Sequence, residues 1–320
     1  MIKTRLTENL NLKHPVVLAP MAVVGGGRLA AEITRAGGLG LIGGGYCDAD
    51  WIDQEFAQAG DTPVGCGLIT WCLSDDLLAS VLARKPLAIL LSFGDPLPFS
   101  AAIHAAEVPL ICQVQTLKDA RRAVVASAAI IVAQGSEAGG HIARRSTMTL
   151  VPEIADMLAV EAPDVLLLAA GGIADGRGLA AALMLGADGV SVGSAFLASD
   201  EVLLHANAQT AIFAADGDAT MRTSVPDILR SKDWKTRYSG RILANDFIRR
   251  WHEDEAALRV DPSLKTAWAD ATARGDMNVA SIFVGEAAGM IHKQQAAADI
   301  LNNMVAGATA ILDKQVGRNV

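Results

Sequence analysis

Residues 165–196 read VLLLAAGGIADGRGLAAALMLGADGVSVGSAF and join two short apolar runs through a segment with helical spacing. The first run ends at Gly171 and Gly172, and the second ends at Gly193 and Ser194. A strand, a helix and a second strand in this order form a βαβ unit, whose two strands lie parallel. The stretch therefore predicts a parallel sheet covered by helices.

The same alternation runs back from this stretch to the start of the chain. Each short apolar run is followed by a glycine or polar break and then by a helical pattern, which is typical of repeated βα units. The predicted strands lie at residues 16–20, 39–43, 64–69, 87–92, 109–114, 129–133, 165–170 and 189–193. Eight such units close most naturally into a (β/α)8 TIM barrel, so the predicted fold class is α/β.

A competing interpretation comes from GGGRLA at residues 25–30, which fits the dinucleotide-binding motif of a Rossmann unit. The segment APMA at 19–22 separates these glycines from the preceding strand. A doubly wound sheet would also leave the two late glycine turns unexplained. The barrel is therefore favoured.

The chain continues for more than a hundred residues after the eighth strand, and its composition changes there. Residues 220–276 mix basic and acidic side chains, contain three of the five tryptophans and give no strand signal. We expect a mainly helical cap on the rim of the barrel. The predicted domains are a barrel at 1–214, a cap at 215–275 and a segment at 276–320 that packs back on the barrel.

Composition limits the partners and the cellular location. The chain is 51% hydrophobic, yet no apolar run approaches the length of a membrane span. The formal charge of −8 and the lack of a basic run argue against nucleic acid and anionic membranes as partners. The polar start MIKTRLTENLNLKHP does not fit a secretory signal and predicts a cytoplasmic protein. Cys47, Cys66, Cys72 and Cys112 lack the spacing of zinc ligands, so we expect core thiols and no metal.

Two glycine turns predict an anion site. In a barrel of this kind, a phosphate commonly binds between the loops that follow the seventh and eighth strands. Gly171 and Gly172 follow the seventh strand, and Gly193 and Ser194 follow the eighth. The alternative is that these glycines only permit tight turns, but this does not explain their position at the usual phosphate site.

The sixth loop carries the candidate catalytic group. It lies within VAQGSEAGGH at 132–141, and its small residues leave His141 uncovered. His141 is the only one of the six histidines predicted to lie on the catalytic rim, where a neutral imidazole can take a proton from carbon. The alternative is a loop histidine that only bonds the backbone. For Glu137 we favour a structural role.

These motifs together resemble the nitronate monooxygenases, formerly called 2-nitropropane dioxygenases. The resemblance rests on APMA at 19–22, GLITW at 67–71, AQGSEAGGH at 133–141 and residues 169–196. It covers the whole barrel and extends to the FMN-dependent enoyl-ACP reductases, which carry a similar glycine-histidine loop. The segments RYSGRILAND and FVGEAAGM resemble the cap and returning segment of the family.

The resemblance implies FMN across the mouth of the barrel. His141 would face the flavin N5 across the substrate, and Gly67 would lie at the flavin where bacterial relatives often carry asparagine. The remaining implied contacts are Pro20, Met21 and Ala22 along the ring, Gln113 and Gln134 as hydrogen-bonding partners, Gly139 through its backbone, and Gly172, Gly193 and Ser194 at the phosphate.

The implied reaction is oxidation of an alkyl nitronate with O2 to a carbonyl compound and nitrite, with His141 as the base for neutral nitroalkanes. One alternative is an NAD(P)H-dependent FMN reductase of an enoyl thioester or quinone. Another is a cofactorless barrel that binds a phosphorylated metabolite. The sequence leaves open whether the chain forms a homo-oligomer.

Overall fold

The structure is a computed structural model that describes residues 2–316. Its strands are β1 (Val16–Leu18), β2 (Leu41–Gly43), β3 (Gly65–Ile69), β4 (Ile89–Ser92), β5 (Leu110–Val114), β6 (Ile130–Gln134), β7 (Gly140–Ile142), β8 (Leu166–Ala170), β9 (Gly189–Val192), β10 (Thr220–Thr223) and β11 (Ser239–Leu243). Each of the eight predicted strands overlaps one of these, and the additional strands are β7, β10 and β11.

The helices follow the strands in alternation through the first two thirds of the chain. They are α1 (Arg5–Asn9), α2 (Gly27–Arg35), α3 (Ala49–Ala59), α4 (Asp75–Ala83), α5 (Leu97–Ala105), α6 (Leu117–Val125), α7 (Thr147–Glu161), α8 (Gly176–Met184), α9 (Ala206–Phe213), α10 (Val225–Leu229), α11 (Asp246–Glu253), α12 (Glu255–Val260), α13 (Pro262–Arg274) and α14 (Ala297–Val316). No helix within residues 2–316 is both long enough and apolar enough to cross a bilayer.

Eight parallel strands form the barrel, in the order β1-β9-β8-β6-β5-β4-β3-β2. The two ends of this order meet where Val17 bridges Leu39 in parallel. There the Leu18 amide donates to the Leu39 carbonyl at 2.9 Å, and the Leu39 amide donates to the Val16 carbonyl at 3.0 Å. The predicted TIM barrel is confirmed.

The apolar side chains of the strands divide between two cores. Inside the barrel, Val17, Leu90, Ile111 and Val132 pack together, and Leu6 of α1 joins this interior cluster. The side chains that point outward pack against the helices in a larger, separate cluster. This two-sided burial explains why the strands read as continuous apolar runs.

The outer ring of helices is completed by α14, which packs against α8 and α2. A Cβ added at Gly176 of α8 would lie 2.3 Å from the amide nitrogen of Ala308, so glycine is needed for this close contact. The helix that fills the eighth position of the ring therefore comes about a hundred residues after β9.

The segment between β9 and α14 contains the expected helices together with two short strands. It contains α10 to α13 around a small core that includes Val225, Leu258 and Trp268, but it also contains β10 and β11. These pair antiparallel with each other, and β11 pairs with β7, where Gly240 lies opposite His141. The segment is mainly helical, as expected, but it also contains these two short strands, which the sequence did not predict because they pair with a loop of the barrel. The domain boundaries stay a prediction.

Candidate active site

A cavity of about 480 Å³ lies at the carboxyl ends of the barrel strands, between the barrel and the later segments of the chain. A volume of this size accommodates a small-molecule ligand. All twelve site residues predicted from the sequence line it: Pro20, Met21, Ala22, Gly67, Gln113, Gln134, Gly139, His141, Gly171, Gly172, Gly193 and Ser194. The structure therefore brings the predicted set together; their roles remain predictions.

The turns after β8 and β9 lie side by side at one end of the cavity. Gly171 and Gly172 have φ angles of 104° and 74°, which L side chains rarely adopt. Within residues 2–316, the amide hydrogens of Gly172, Gly193 and Ser194 donate to no protein acceptor. The Ser194 hydroxyl accepts from the Gly285 amide at 2.9 Å, so its own hydrogen remains available. Adjacent free donors of this kind form a site for an anion such as phosphate.

Two other glycines in the set have a packing reason. A Cβ at Gly67 would lie 2.3 Å from the Pro20 Cβ, and a Cβ at Gly139 would lie 2.6 Å from the Gly285 nitrogen. Gly67 therefore allows the APMA segment to lie against β3. Gly139 allows the returning segment at 284–285 to approach the sixth loop.

Three glutamines form a polar group at the ends of β5 and β6. The Gln134 side-chain carbonyl accepts from the Gln113 amide at 3.1 Å and from the Gln115 amide at 2.8 Å. Two donors to its oxygen leave the Gln134 amide group free to donate to a ligand. Gln115, which was not predicted, is 2% exposed and orients Gln134 from behind.

His141 is buried rather than uncovered. It lies in β7 and is 7% exposed. Its Nε2 lies 2.8 Å from Oδ2 of Asp227, a buried carboxylate in α10. The other carboxylate oxygen of Asp227 accepts from Arg230 at 2.9 Å. The expectation of an uncovered ring was wrong, because side chains far along the chain cover it.

Aromatic rings account for much of this burial. The Trp234 ring stacks on His141 with centroids 3.4 Å apart and planes 9° from parallel, and Phe283 lies 5.3 Å away. Burial lowers the pKa of His141 from its ordinary value, although the hydrogen bond to Asp227 partly opposes this shift. The imidazole is therefore neutral near pH 7.

His205 is a second histidine at the cavity, where the sequence predicted His141 alone. The structure makes it the N-cap residue of α9, where its Nδ1 accepts from the Asn207 amide at 3.1 Å, and it lines the cavity. His141 is therefore not alone among the histidines at this face. The capping bond gives His205 a structural function.

Two acidic side chains near the cavity cap helices. Glu137 accepts from the Thr147 amide at 3.0 Å, at the start of α7, which agrees with the structural role favoured for it. Glu55 accepts from the Gly27 amide at 2.8 Å at the start of α2. A Cβ at Gly27 would lie 1.8 Å from the Glu55 carbonyl oxygen, so this glycine motif is filled by protein and does not form a dinucleotide site.

The most informative residue that sequence reasoning missed is Asp227. It lies 86 residues from His141, in a segment expected to be a cap. The short motif VPDIL marks only a helix start, and nothing in its spacing indicates a partner in the sixth loop. Trp234 could have been noticed as one of the clustered tryptophans, although its stacking on His141 has no sequence signal.

Comparison with known proteins identifies the family. The model of the nitronate monooxygenase family matches residues 3–70 and 69–307. A nitronate monooxygenase of Neurospora crassa is 32% identical, over 91% of this chain and 88% of the relative. FabK from Thermotoga maritima has a TM-score of 0.87 at 29% identity, covering 99% of this chain and 100% of its own. A nitroalkane oxidase from Streptomyces ansochromogenes has a TM-score of 0.80 at 25% identity, covering 97% and 100%. With its barrel and its lined cavity, the chain belongs to the nitronate monooxygenase family of flavin-dependent oxidoreductases.

Proposed function

We propose that the chain is an FMN-dependent nitronate monooxygenase, which oxidises alkyl nitronates with O2 to carbonyl compounds and nitrite. The observation that carries this proposal is the meeting of two features in one cavity. One is the pair of glycine turns with free amides, and the other is a neutral histidine held by a buried carboxylate. The first suits a phosphate-bearing cofactor, and the second suits removal of a proton from carbon.

The described residues fit FMN. Gly172, Gly193 and Ser194 would hold the phosphate through their amides and the serine hydroxyl, and Gln134 would donate its free amide to the ring or ribityl chain. Pro20, Met21 and Ala22 would lie along the ring. The turn at Gly25 to Gly27, already filled by Glu55, offers no second phosphate site for the longer FAD. The bound flavin would supply the electron-accepting and oxygen-reacting chemistry.

The contribution of His141 follows from its partners. If Nε2 carries the hydrogen and donates it to Asp227, the lone pair is on Nδ1. Nδ1 has no protein partner among the described residues, and the side chain lines the cavity. A neutral nitroalkane that binds there would lose its α-carbon proton to Nδ1. A nitronate has already lost this proton and needs only to be bound and oriented.

The proposal is tested by His141→Asn, assayed on one compound in two protonation states. Asparagine keeps hydrogen bonding but cannot take the proton, so kcat/KM for the neutral nitroalkane should fall about 10²- to 10⁴-fold. Turnover of the pre-formed nitronate should fall much less, and the flavin should stay bound because the phosphate turns are unchanged. Equal losses on both forms would assign His141 to substrate positioning or folding. Failure of the wild-type protein to oxidise any alkyl nitronate would reject the function.

A second candidate is an NAD(P)H-dependent FMN reductase of an enoyl thioester or quinone. The glycine-histidine loop also resembles the corresponding loop of the enoyl-ACP reductases, and this resemblance supports the second candidate. A reductase is reduced by nicotinamide, whereas a nitronate oxidase is reduced by its own substrate. Anaerobic mixing of the purified protein with NADH and, separately, with a nitronate distinguishes them by which one bleaches the flavin absorbance. A colourless folded protein would instead favour a cofactorless barrel that binds a phosphorylated metabolite.

A further inference from the structure

Two cysteines from neighbouring loops meet beside the cavity. Cys47 lies in the loop between β2 and α3, and Cys72 lies in the loop between β3 and α4. Their Sγ atoms are 2.7 Å apart, and both residues are half-buried. Cys66 and Cys112 are buried in the barrel as expected, whereas Cys47 and Cys72 are only half-buried, with Cys47 packed against the edge of the core.

Two backbone carbonyl oxygens lie beside this pair. The two sulfurs share the carbonyl oxygens of Gly45 and Ile69, which lie 3.6 Å from the Cys47 Sγ and 3.7 and 3.3 Å from the Cys72 Sγ. Cys47 also has a φ angle of 62°, a conformation that is unfavourable for a residue other than glycine.

The chemistry of the pair favours oxidation at Cys72. A hydrogen bond between the two sulfurs lowers the pKa of the Cys72 thiol, and the positive charge of Lys232 adds to this effect. The same contact raises the pKa of the Cys47 thiol. The thiolate is the nucleophilic form of cysteine. The pair therefore provides one attacking sulfur and one resolving sulfur in contact.

We propose that Cys47 and Cys72 form a reversible oxidation site that closes to a disulfide when the protein meets hydrogen peroxide. The Cys72 thiolate attacks one peroxide oxygen, the O–O bond breaks and hydroxide leaves, which gives a sulfenic acid. The Cys47 sulfur then attacks the Cys72 sulfur, and the S–O bond breaks. The oxygen leaves as water with the Cys47 proton. The two thiols lose two electrons and two hydrogens, and peroxide is reduced to two waters.

The disulfide would join two loops whose aromatic rings contact each other, and one of these rings, Tyr46, lines the cavity. Tyr46 precedes Cys47, Trp71 precedes Cys72, and their ring centroids are 6.1 Å apart. Trp71 lies 5.5 Å from Trp234, the ring that stacks on His141. A covalent bond between the adjacent Cys47 and Cys72 would restrain both rings against Trp234. Amides in residues 44–48 and 69–73 should therefore exchange hydrogen more slowly after oxidation.

The test treats the purified holoenzyme with hydrogen peroxide and measures free thiols after denaturation. The number should fall from four to two and return to four with dithiothreitol. Trypsin leaves both cysteines on one peptide, because no Lys or Arg lies between Arg35 and Arg84. A protease that cleaves after glutamate separates the two cysteines at Glu55. Mass spectrometry should then find peptides 33–55 and 56–107 joined, with the loss of two hydrogens.

Variants show which cysteines form the bond. Cys72→Ser should abolish the joined peptides, whereas Cys66→Ala, which alters the other cysteine of peptide 56–107, should leave them unchanged. The proposal is overturned if the joined peptides persist in Cys72→Ser, or if all four thiols stay free in the folded wild type. It is also overturned if Cys72 is oxidised to a sulfinic acid without forming a crosslink. None of these outcomes depends on the substrate of the enzyme.

Discussion

The buried pair of His141 and Asp227 depends on which nitrogen of the imidazole carries the hydrogen. A carboxylate only accepts, so the 2.8 Å contact puts the hydrogen on Nε2 and the lone pair on Nδ1. Arg230 donates to the second oxygen of Asp227 at 2.9 Å and compensates its charge. Asp227 is 4% exposed, and a buried carboxylate needs such partners. We therefore expect Asp227 to act through His141, as a positioning residue.

We expect Asp227→Asn to weaken proton removal selectively. The asparagine amide can donate to Nε2, which would put the hydrogen on Nδ1 and remove the lone pair from the cavity. kcat/KM for a neutral nitroalkane should fall by about 10- to 100-fold, and turnover of the nitronate should change little. Asp233→Asn, at an exposed site in the following loop, is the matched control. If nitroalkane and nitronate lose activity equally, Asp227 supports the fold rather than the base.

For single residues, the position of a side chain in the fold could be predicted from the sequence, but the side chains that surround it could not. The rim position of His141 follows from the end of one strand, which is local information. Its burial depends on Asp227, Trp234 and Phe283, which come 86, 93 and 142 residues later and carry no signal of contact. Local spacing therefore predicted an uncovered ring, and the later segments buried it.

Among the elements, α7 depends on a residue outside its own sequence. Its N-cap, Ser146, makes no side-chain capping bond. Glu137 accepts from the Thr147 amide instead, and the Thr147 hydroxyl lies 3.0 Å from the Gly171 carbonyl oxygen. One carboxylate thus joins the sixth loop, α7 and the turn after β8. A negative charge at this end is also favoured by the helix dipole.

Glu137→Ala should therefore lower the free energy of unfolding by about 1 to 2 kcal/mol, the range for a lost helix cap. A urea titration followed by circular dichroism measures it. Glu153→Ala removes a carboxylate from the same helix that pairs at the surface with Arg145, and it should cost at most about 0.5 kcal/mol. A Glu137→Ala midpoint indistinguishable from that of Glu153→Ala would show that the capping bond contributes no stability.

The elements that could be predicted are those with a strong local pattern. The barrel strands are buried on both sides and read as apolar runs, so all eight were found. The strands β7, β10 and β11 are three to five residues long and contain GHI, TMRT and SGRIL, which show no alternation of apolar and polar residues. Their pairing depends on contact between the cap segment and the sixth loop. These two parts are far apart in the sequence, so no local pattern in either of them indicates the contact.

At the scale of the whole molecule, the barrel and its one proposed phosphate site predict the cofactor content. We expect the purified protein to be yellow and to release FMN and no FAD on denaturation, as measured by chromatography. Gly172→Val should lower the retained flavin, because Gly172 has a φ angle of 74° and valine would disturb the turn. Gly60→Val, at another positive φ but far from the cavity, controls for backbone strain. Release of FAD, or equal retention in both variants, contradicts this assignment.

The way the later segments cover the barrel predicts a change in pH dependence. Trp234 stacks on His141, and burial is the largest cause of the lowered pKa of that histidine. Trp234→Ala should admit water and raise the pKa of His141 toward its ordinary value of 6.5. A base works only when unprotonated, so the acid limb of kcat/KM for neutral nitroalkanes should move to higher pH. Trp251→Ala, which alters a ring beside Phe247 outside the cavity, should leave the limb in place. An unmoved limb in Trp234→Ala would mean that the remaining covering side chains are sufficient to keep His141 neutral.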